Sequence, residues 1–84
     1  MLTFDPAKDA ANIAKHGISL ARAADLEVVV VLDDARHDYG EVRRRAFGTI
    51  DGALHCLAYT LRDGMVRPIS LRRAHNKEYR RHVP

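Results

Sequence analysis

The sequence predicts a small α+β fold: about four antiparallel strands ending in a C-terminal meander, with two N-terminal helices and a C-terminal helix. Three observations carry this. Asp51-Gly52 and Asp63-Gly64 separate three strand-like runs, and Asp-Gly makes two-residue hairpin turns because both residues tolerate positive φ. A β-branched run, "EVVVVLD", precedes them and suits a pleated, half-buried surface. Good cap residues bracket the N-terminal alanine-rich stretch. At 84 residues the chain is expected to be one domain, 1–84, near the lower size limit for a core without staples, so oligomerisation is expected too.

In chain order, "LTF" is a short apolar entry. Asp5 is the N-cap of a first helix, Pro6 fills its first position and Gly17 stops it. Ala7, Ala10, Ala11 and Ala14 recur at i, i+3, i+4 and i+7, which predicts an alanine stripe packed on another element with Lys8, Asn12 and Lys15 pointing elsewhere. Ser19 caps a second helix, "LARAADL", ending near Glu27, where the valine run begins as a strand; periodicity alone leaves a helical continuation open. "DDARHDYGE" is a polar loop with Gly40. The meander follows as "VRRRAFGTI", "ALHCLAYTL" and "MVRPISLR". Pro68 cannot donate to a ladder, so the last strand is an edge there or is bulged. "AHNKEYRRHV" closes the chain as a helix. No repeat or low-complexity linker interrupts this order.

Charge is divided along the chain. Residues 1–42 hold four Lys/Arg against eight Asp/Glu, and residues 43–84 hold ten against three. This asymmetry implies an anionic partner for the C-terminal half, with nucleic acid foremost. Cys56 is the single cysteine; it excludes an intrachain disulfide and reads as a small buried hydrophobe, which fits a cytoplasmic setting. The N-terminus lacks a signal-like pattern, and "LEVVVVL" is too short to span a bilayer, so no membrane association is expected.

Alternation along the last strand places Arg67, Ile69 and Leu71 on one side and Pro68, Ser70 and Arg72 on the other. Ser70 lacks a nucleophile elbow or an evident His/Asp partner and reads as a hydrogen-bond donor, not a nucleophile. "GEVRRR" puts Glu41, Arg43 and Arg45 on one face and Arg44 opposite; guanidinium forks match phosphate oxygens, although arginines on an edge strand also block aggregation. His16, His37, His55, His75 and His82 have no metal-ligand spacing, so neither a metal nor another cofactor is expected. His37 lies in the acidic loop, where Asp38 or Glu41 could raise its pKa into the range of a general acid or base. His16, at a helix C-terminus, reads as a cation favoured by the dipole.

"FDPAK…N..KHGIS", "DYGE.R" and "R.IS.RRA….E", in this order and spacing, resemble the BrnT toxins of bacterial BrnT–BrnA toxin–antitoxin pairs over essentially the whole chain. The resemblance implies a RelE-like fold and a metal-independent endoribonuclease that inhibits translation. It implies RNA as substrate and a BrnA-like ribbon-helix-helix antitoxin that neutralises the toxin. Operator DNA would be reached only through that complex, and a homodimer within a heterotetramer is one arrangement it allows. The family motif points to Lys8, Asn12, Lys15, His16 and Gly17, then to Glu41 and Arg43, then to Arg67, Ser70, Arg72 and Arg73. Phe4 stands where the family often has Trp, and Pro68 where a β-branched residue is usual.

The chemistry expected from both readings is attack of the RNA 2′-hydroxyl on the adjacent phosphorus, with cations stabilising the added charge. Arg43 and Arg72 are assigned to the scissile phosphate, Ser70 to positioning it, Arg67 or Arg73 to assistance, and His37 or Glu41 to proton transfer. Lys8, Lys15, Arg67, Arg73, Lys77 and Arg80 are assigned to RNA binding. The alternative is a non-catalytic nucleic-acid-binding or protein-interaction module using the basic half. RNA incubated with the protein in EDTA separates these readings.

Overall fold

The computed structural model describes residues 3–33 and 42–81. His37 and Glu41, with most of the acidic loop, lie outside the described residues. The order is α1 (Pro6–His16), a 3-10 helix (Leu20–Asp25), β1 (Glu27–Asp33), β2 (Arg43–Ile50), β3 (Ala53–Arg62), β4 (Met65–Arg73) and α2 (Asn76–Arg80). The strands form an antiparallel sheet in the order β1-β2-β3-β4.

Local chemistry accounts for most boundaries. Asp5 Oδ1 accepts from the Ala7 N–H at 2.8 Å, and the Gly17 N–H closes α1 onto the Ile13 carbonyl. The Ser19 hydroxyl accepts from the Ala21 N–H and donates to Asp9 Oδ1 at 2.9 Å, which also accepts from the Leu20 N–H at 2.7 Å. Asp9 thus ties α1 to the next segment, which is 3-10 and not the α-helix expected for "LARAADL". Both Asp-Gly turns have positive φ at both central residues, 51° and 77° at Asp51-Gly52 and 53° and 76° at Asp63-Gly64. That is the conformation which follows the right-handed twist of paired strands. The valine run is a strand, with a register irregularity between Val28 and Val30. A Cβ on Gly48 would meet Val28 Cα at 2.9 Å and the Glu27 backbone, so only glycine lets β1 lie this close.

One sheet face carries Ala46, Ile50, Leu57, Tyr59 and Leu71, which bury together with Leu20 and Ala23 of the 3-10 helix. The alanine stripe of α1 does not do this: Ala7, Ala10, Ala11 and Ala14 are exposed and Asn12 is the buried residue of the helix. The cause is where α1 sits. It lies along the free edge of β4, where backbone polar groups need partners more than apolar atoms need cover. Asn12 Nδ2 donates to the Leu71 carbonyl at 2.9 Å and to the Ile18 carbonyl at 2.8 Å, while Oδ1 accepts from the Leu71 N–H at 3.1 Å. One amide side chain replaces a missing strand at that position.

The alternation expected for β4 also fails, because Arg67 pairs with Thr60, Pro68 with Tyr59 and Ser70 with Ala58. Ile69 is the extra residue of a bulge, and the single insertion exchanges faces from there on. Arg67, Ser70 and Arg72 therefore share one face, and Pro68 and Leu71 the core face, where both are fully buried. Pro68 stands two residues after Val66, whose carbonyl accepts from the Thr3 N–H at the outer edge. Its missing N–H points away from β3 in that series, so the ladder loses nothing.

Candidate functional site

The face opposite the core is built in rows across three strands. The register places Arg43, Thr60 and Arg67 in one row, Arg45, Ala58 and Ser70 in the next, and Phe47, Cys56 and Arg72 in the third. Rows two residues apart along a strand are about 7 Å apart, and β2 and β4 are about 10 Å apart across β3. The small buried side chains Thr60, Ala58 and Cys56 form a floor, and the larger polar side chains of β2 and β4 stand on either side. Arg43, Arg45, Arg67, Arg72 and Ser70 thus share this face. Arg44 faces the other way and binds Asp33 at 3.2 Å across β1 and β2.

The third row is roofed by α2. Tyr79 packs edge-on against Phe47 with ring centroids 6.2 Å apart, while the Arg45 guanidinium carbon lies 5.9 Å from the Phe47 centroid, within cation–π reach. Glu78, one residue earlier on α2, takes Arg72 in a two-pronged ion pair, Nη2 to Oε1 at 2.6 Å and Nη1 to Oε2 at 3.0 Å. These hydrogen bonds from Arg72 hold the Glu78 carboxyl below its ordinary pKa, against the opposing effect of burial, and the charge of Arg45 adds to the lowering. Two buried polar atoms of this face, Arg45 Nε and Thr60 Oγ1, have no hydrogen-bond partner among the described residues. A buried polar atom without a partner is costly.

The stripe Lys8, Asn12, Lys15 and His16 of α1 lines a cleft of about 260 Å³ with Ile69 and Ser70. Lys8 and Lys15 thus flank Ser70 at the sheet edge. His16 also lines a second cleft, with His55 and Arg73. His16 differs from the expectation of a dipole-favoured cation: partial burial, then the neighbouring charges of Lys15 and Arg72, lower its pKa. Burial, with two cations nearby adding to it, outweighs the fraction of a charge at a helix terminus.

Of the residues singled out in the sequence, the fold brings Arg43, Arg67, Ser70 and Arg72 to one face and Lys8 and Lys15 to its edge. Arg73 pairs with His55, which puts it on the core side of β4, apart from that face. Lys77 and Arg80 are exposed on α2. His37 and Glu41 lie outside the described residues. Sequence reading assigned no role to Arg45, Thr60, Glu78 or Tyr79. Arg45 was visible as the alternate partner of Arg43, and Glu78 stood in the quoted motif, but no local pattern reveals that it reaches back six residues to Arg72.

His16 and Glu78 make stability depend on pH in the same direction. His16 has a folded pKa below the 6.5 of an unperturbed histidine, so the unfolded chain binds the proton more readily and stability falls as pH drops through about 6.5. Glu78 has a folded pKa below the ordinary 4.5, so its contribution is present above that value and is lost as pH falls through the lowered one. Urea midpoints measured from pH 8 to pH 3 are expected to fall in two steps. His16→Gln should flatten the first and Glu78→Gln the second.

Among the described residues no helix is long and apolar enough to cross a membrane. Comparison with known families gives a match to the model described as "Ribonuclease toxin, BrnT, of type II toxin-antitoxin system" over residues 4–78. No curated protein matches the chain.

Proposed function

The chain belongs to the BrnT family of ribonuclease toxins of type II toxin–antitoxin systems, and from that membership we propose that it is a metal-independent endoribonuclease whose active face is the arginine-walled floor of β2, β3 and β4. The observation that carries the reading is the row pattern: Arg43, Arg45, Arg67 and Arg72 surround a small-residue floor together with Ser70. RNA contains its own nucleophile. Removal of the 2′-hydroxyl proton lets that oxygen attack phosphorus, and the trigonal-bipyramidal species gathers negative charge that guanidinium donors can stabilise without a metal ion.

In this reading Arg43, Arg45 and Arg72 hold the phosphate oxygens and Ser70 donates to one of them. Arg67 assists from the first row, and Lys8 and Lys15 hold the flanking strand at the sheet edge. Lys77 and Arg80, exposed on α2, add to the positive field that attracts RNA. His37 or Glu41 remains assigned to proton transfer by sequence position. The fold is assigned as RelE-like, on the antiparallel sheet with the 3-10 helix against one face, α1 along the β4 edge and α2 over the other face.

Membership in a type II system brings an antitoxin partner. We assign that partner as a BrnA-like ribbon-helix-helix protein that neutralises the toxin, co-represses the operon with it and supplies the DNA contact. The toxin is placed in the cytoplasm, where its RNA substrate is.

The test is labelled RNA incubated with the purified protein in EDTA. Cleavage to a 2′,3′-cyclic phosphate and a 5′-hydroxyl end is expected, with no cleavage where a 2′-deoxynucleotide replaces the residue before the cut. Intact RNA, or cleavage that EDTA abolishes, would overturn the reading.

A further inference from the structure

We propose that Glu78 accepts the 2′-hydroxyl proton during RNA cleavage, and that in the RNA-free protein it occupies the Arg72 fork which the phosphate will take. The inference rests on the ribonuclease reading above and reassigns its proton transfer from His37 or Glu41 to Glu78, a proton acceptor that switches on with substrate.

The geometry comes first. Glu78 presents two oxygens to Nη1 and Nη2 of Arg72 at 3.0 and 2.6 Å, and two oxygens of a phosphodiester would make the same parallel pair. Both anions cannot use the fork at once. A phosphate arriving over the floor therefore displaces the carboxylate but leaves it close by, because the Tyr79 contact with Phe47 keeps α2 over the third row. Glu78 then lies beside the phosphate whose neighbouring 2′-hydroxyl must lose a proton.

Proton affinity follows. While Arg72 donates to it, Glu78 is a poor base, since those hydrogen bonds stabilise its charged form. Once the phosphate takes the fork, the stabilisation is lost, while partial burial and the new negative charge both favour the protonated form. The surrounding charged and titratable groups are Arg72 from β4, Arg45 from β2 and His75 at the start of α2. The carboxylate becomes a better base where and when substrate is present.

The step balances. Glu78 takes the proton from the 2′-oxygen, the 2′-oxygen forms a bond to phosphorus, and the bond from phosphorus to the 5′-oxygen breaks. The leaving oxygen takes a proton from solvent water, and the hydroxide so formed removes the proton from Glu78. The products are a 2′,3′-cyclic phosphate and a 5′-hydroxyl, with the protein unchanged.

The test measures two quantities on the full-length protein: single-turnover cleavage of an RNA oligonucleotide, and affinity for the same sequence with a 2′-deoxynucleotide at the cut. Glu78→Gln should cleave on the order of 100-fold or more slowly, the range for loss of a general base, yet bind the uncleavable strand several-fold more tightly, because a competitor for Arg72 has been weakened. A merely structural residue would lower both together. Glu78→Ala also frees the fork and serves if the Gln variant does not fold. Cleavage within threefold of wild type would remove Glu78 as the base, and weaker binding would remove the competition. If the wild type cleaves and Glu78→Gln cleaves equally, this inference alone fails. If the wild type leaves RNA intact, the ribonuclease reading fails and takes the inference with it.

Discussion

Asn12→Ala is expected to destabilise the protein by about 2–4 kcal/mol, because it strips partners from three backbone groups at once. The Leu71 N–H and carbonyl and the Ile18 carbonyl all bond to this one side chain, and Leu71 is fully buried, so water cannot take over without opening the edge of β4. All three lost hydrogen bonds go to main-chain groups, so the substitution tests backbone satisfaction as well as packing. Asn12→Asp keeps the acceptor for the Leu71 N–H but aims a carboxylate oxygen at two carbonyl oxygens. It should be at least as damaging at neutral pH and recover partly in acid, where the protonated carboxyl can donate once. Urea denaturation at pH 7 and pH 4 measures both. A change below about 0.5 kcal/mol for Asn12→Ala, the ordinary range for surface substitutions, would mean that α1 does not hold this edge. The same substitution should weaken RNA binding, since α1 carries Lys8 and Lys15 beside Ser70.

Asn12 also illustrates where sequence reading stops. Features set by a few adjacent residues were legible: the Asp5 and Ser19 caps, the stop at Gly17, the valine strand and both Asp-Gly turns, since each depends on local backbone preferences. The packing face of α1 was not legible, because the alanine periodicity describes a helix against an apolar surface, while the real neighbour is a strand edge with exposed hydrogen-bonding groups. Pro68 advertised an edge or a bulge, and β4 has both. Yet only the register shows that the extra residue is Ile69, which moves Arg67 from the side of Leu71 to the side of Ser70. The arginine face was half visible for the same reason. Arg43 and Ser70 announce themselves by residue type, whereas the row that unites Arg45 with Ser70 and the return of Glu78 to Arg72 are products of tertiary structure.

The arginines can be sorted by a series of methionine substitutions, which keep most of the aliphatic stem and remove the charge. Arg43→Met, Arg45→Met and Arg72→Met are each expected to slow RNA cleavage by about 10²–10³-fold, the usual effect of deleting one donor to developing charge. Their stabilities should diverge. Arg45 Nε is buried with no hydrogen-bond partner among the described residues, so Arg45→Met removes a desolvated polar group while its stem can still pack near Phe47. Its urea midpoint should equal or exceed that of the wild type. Arg72→Met instead strands the Glu78 carboxylate, whose side chain is only 23% exposed, and should lower the midpoint. Adding Glu78→Gln to Arg72→Met should restore stability without restoring cleavage. A protein made firmer and inactive by the same change at Arg45 would mark a residue kept against the interest of the fold. Wild-type cleavage by Arg45→Met would instead take Arg45 out of the site, and wild-type cleavage by all three would move the site off this face.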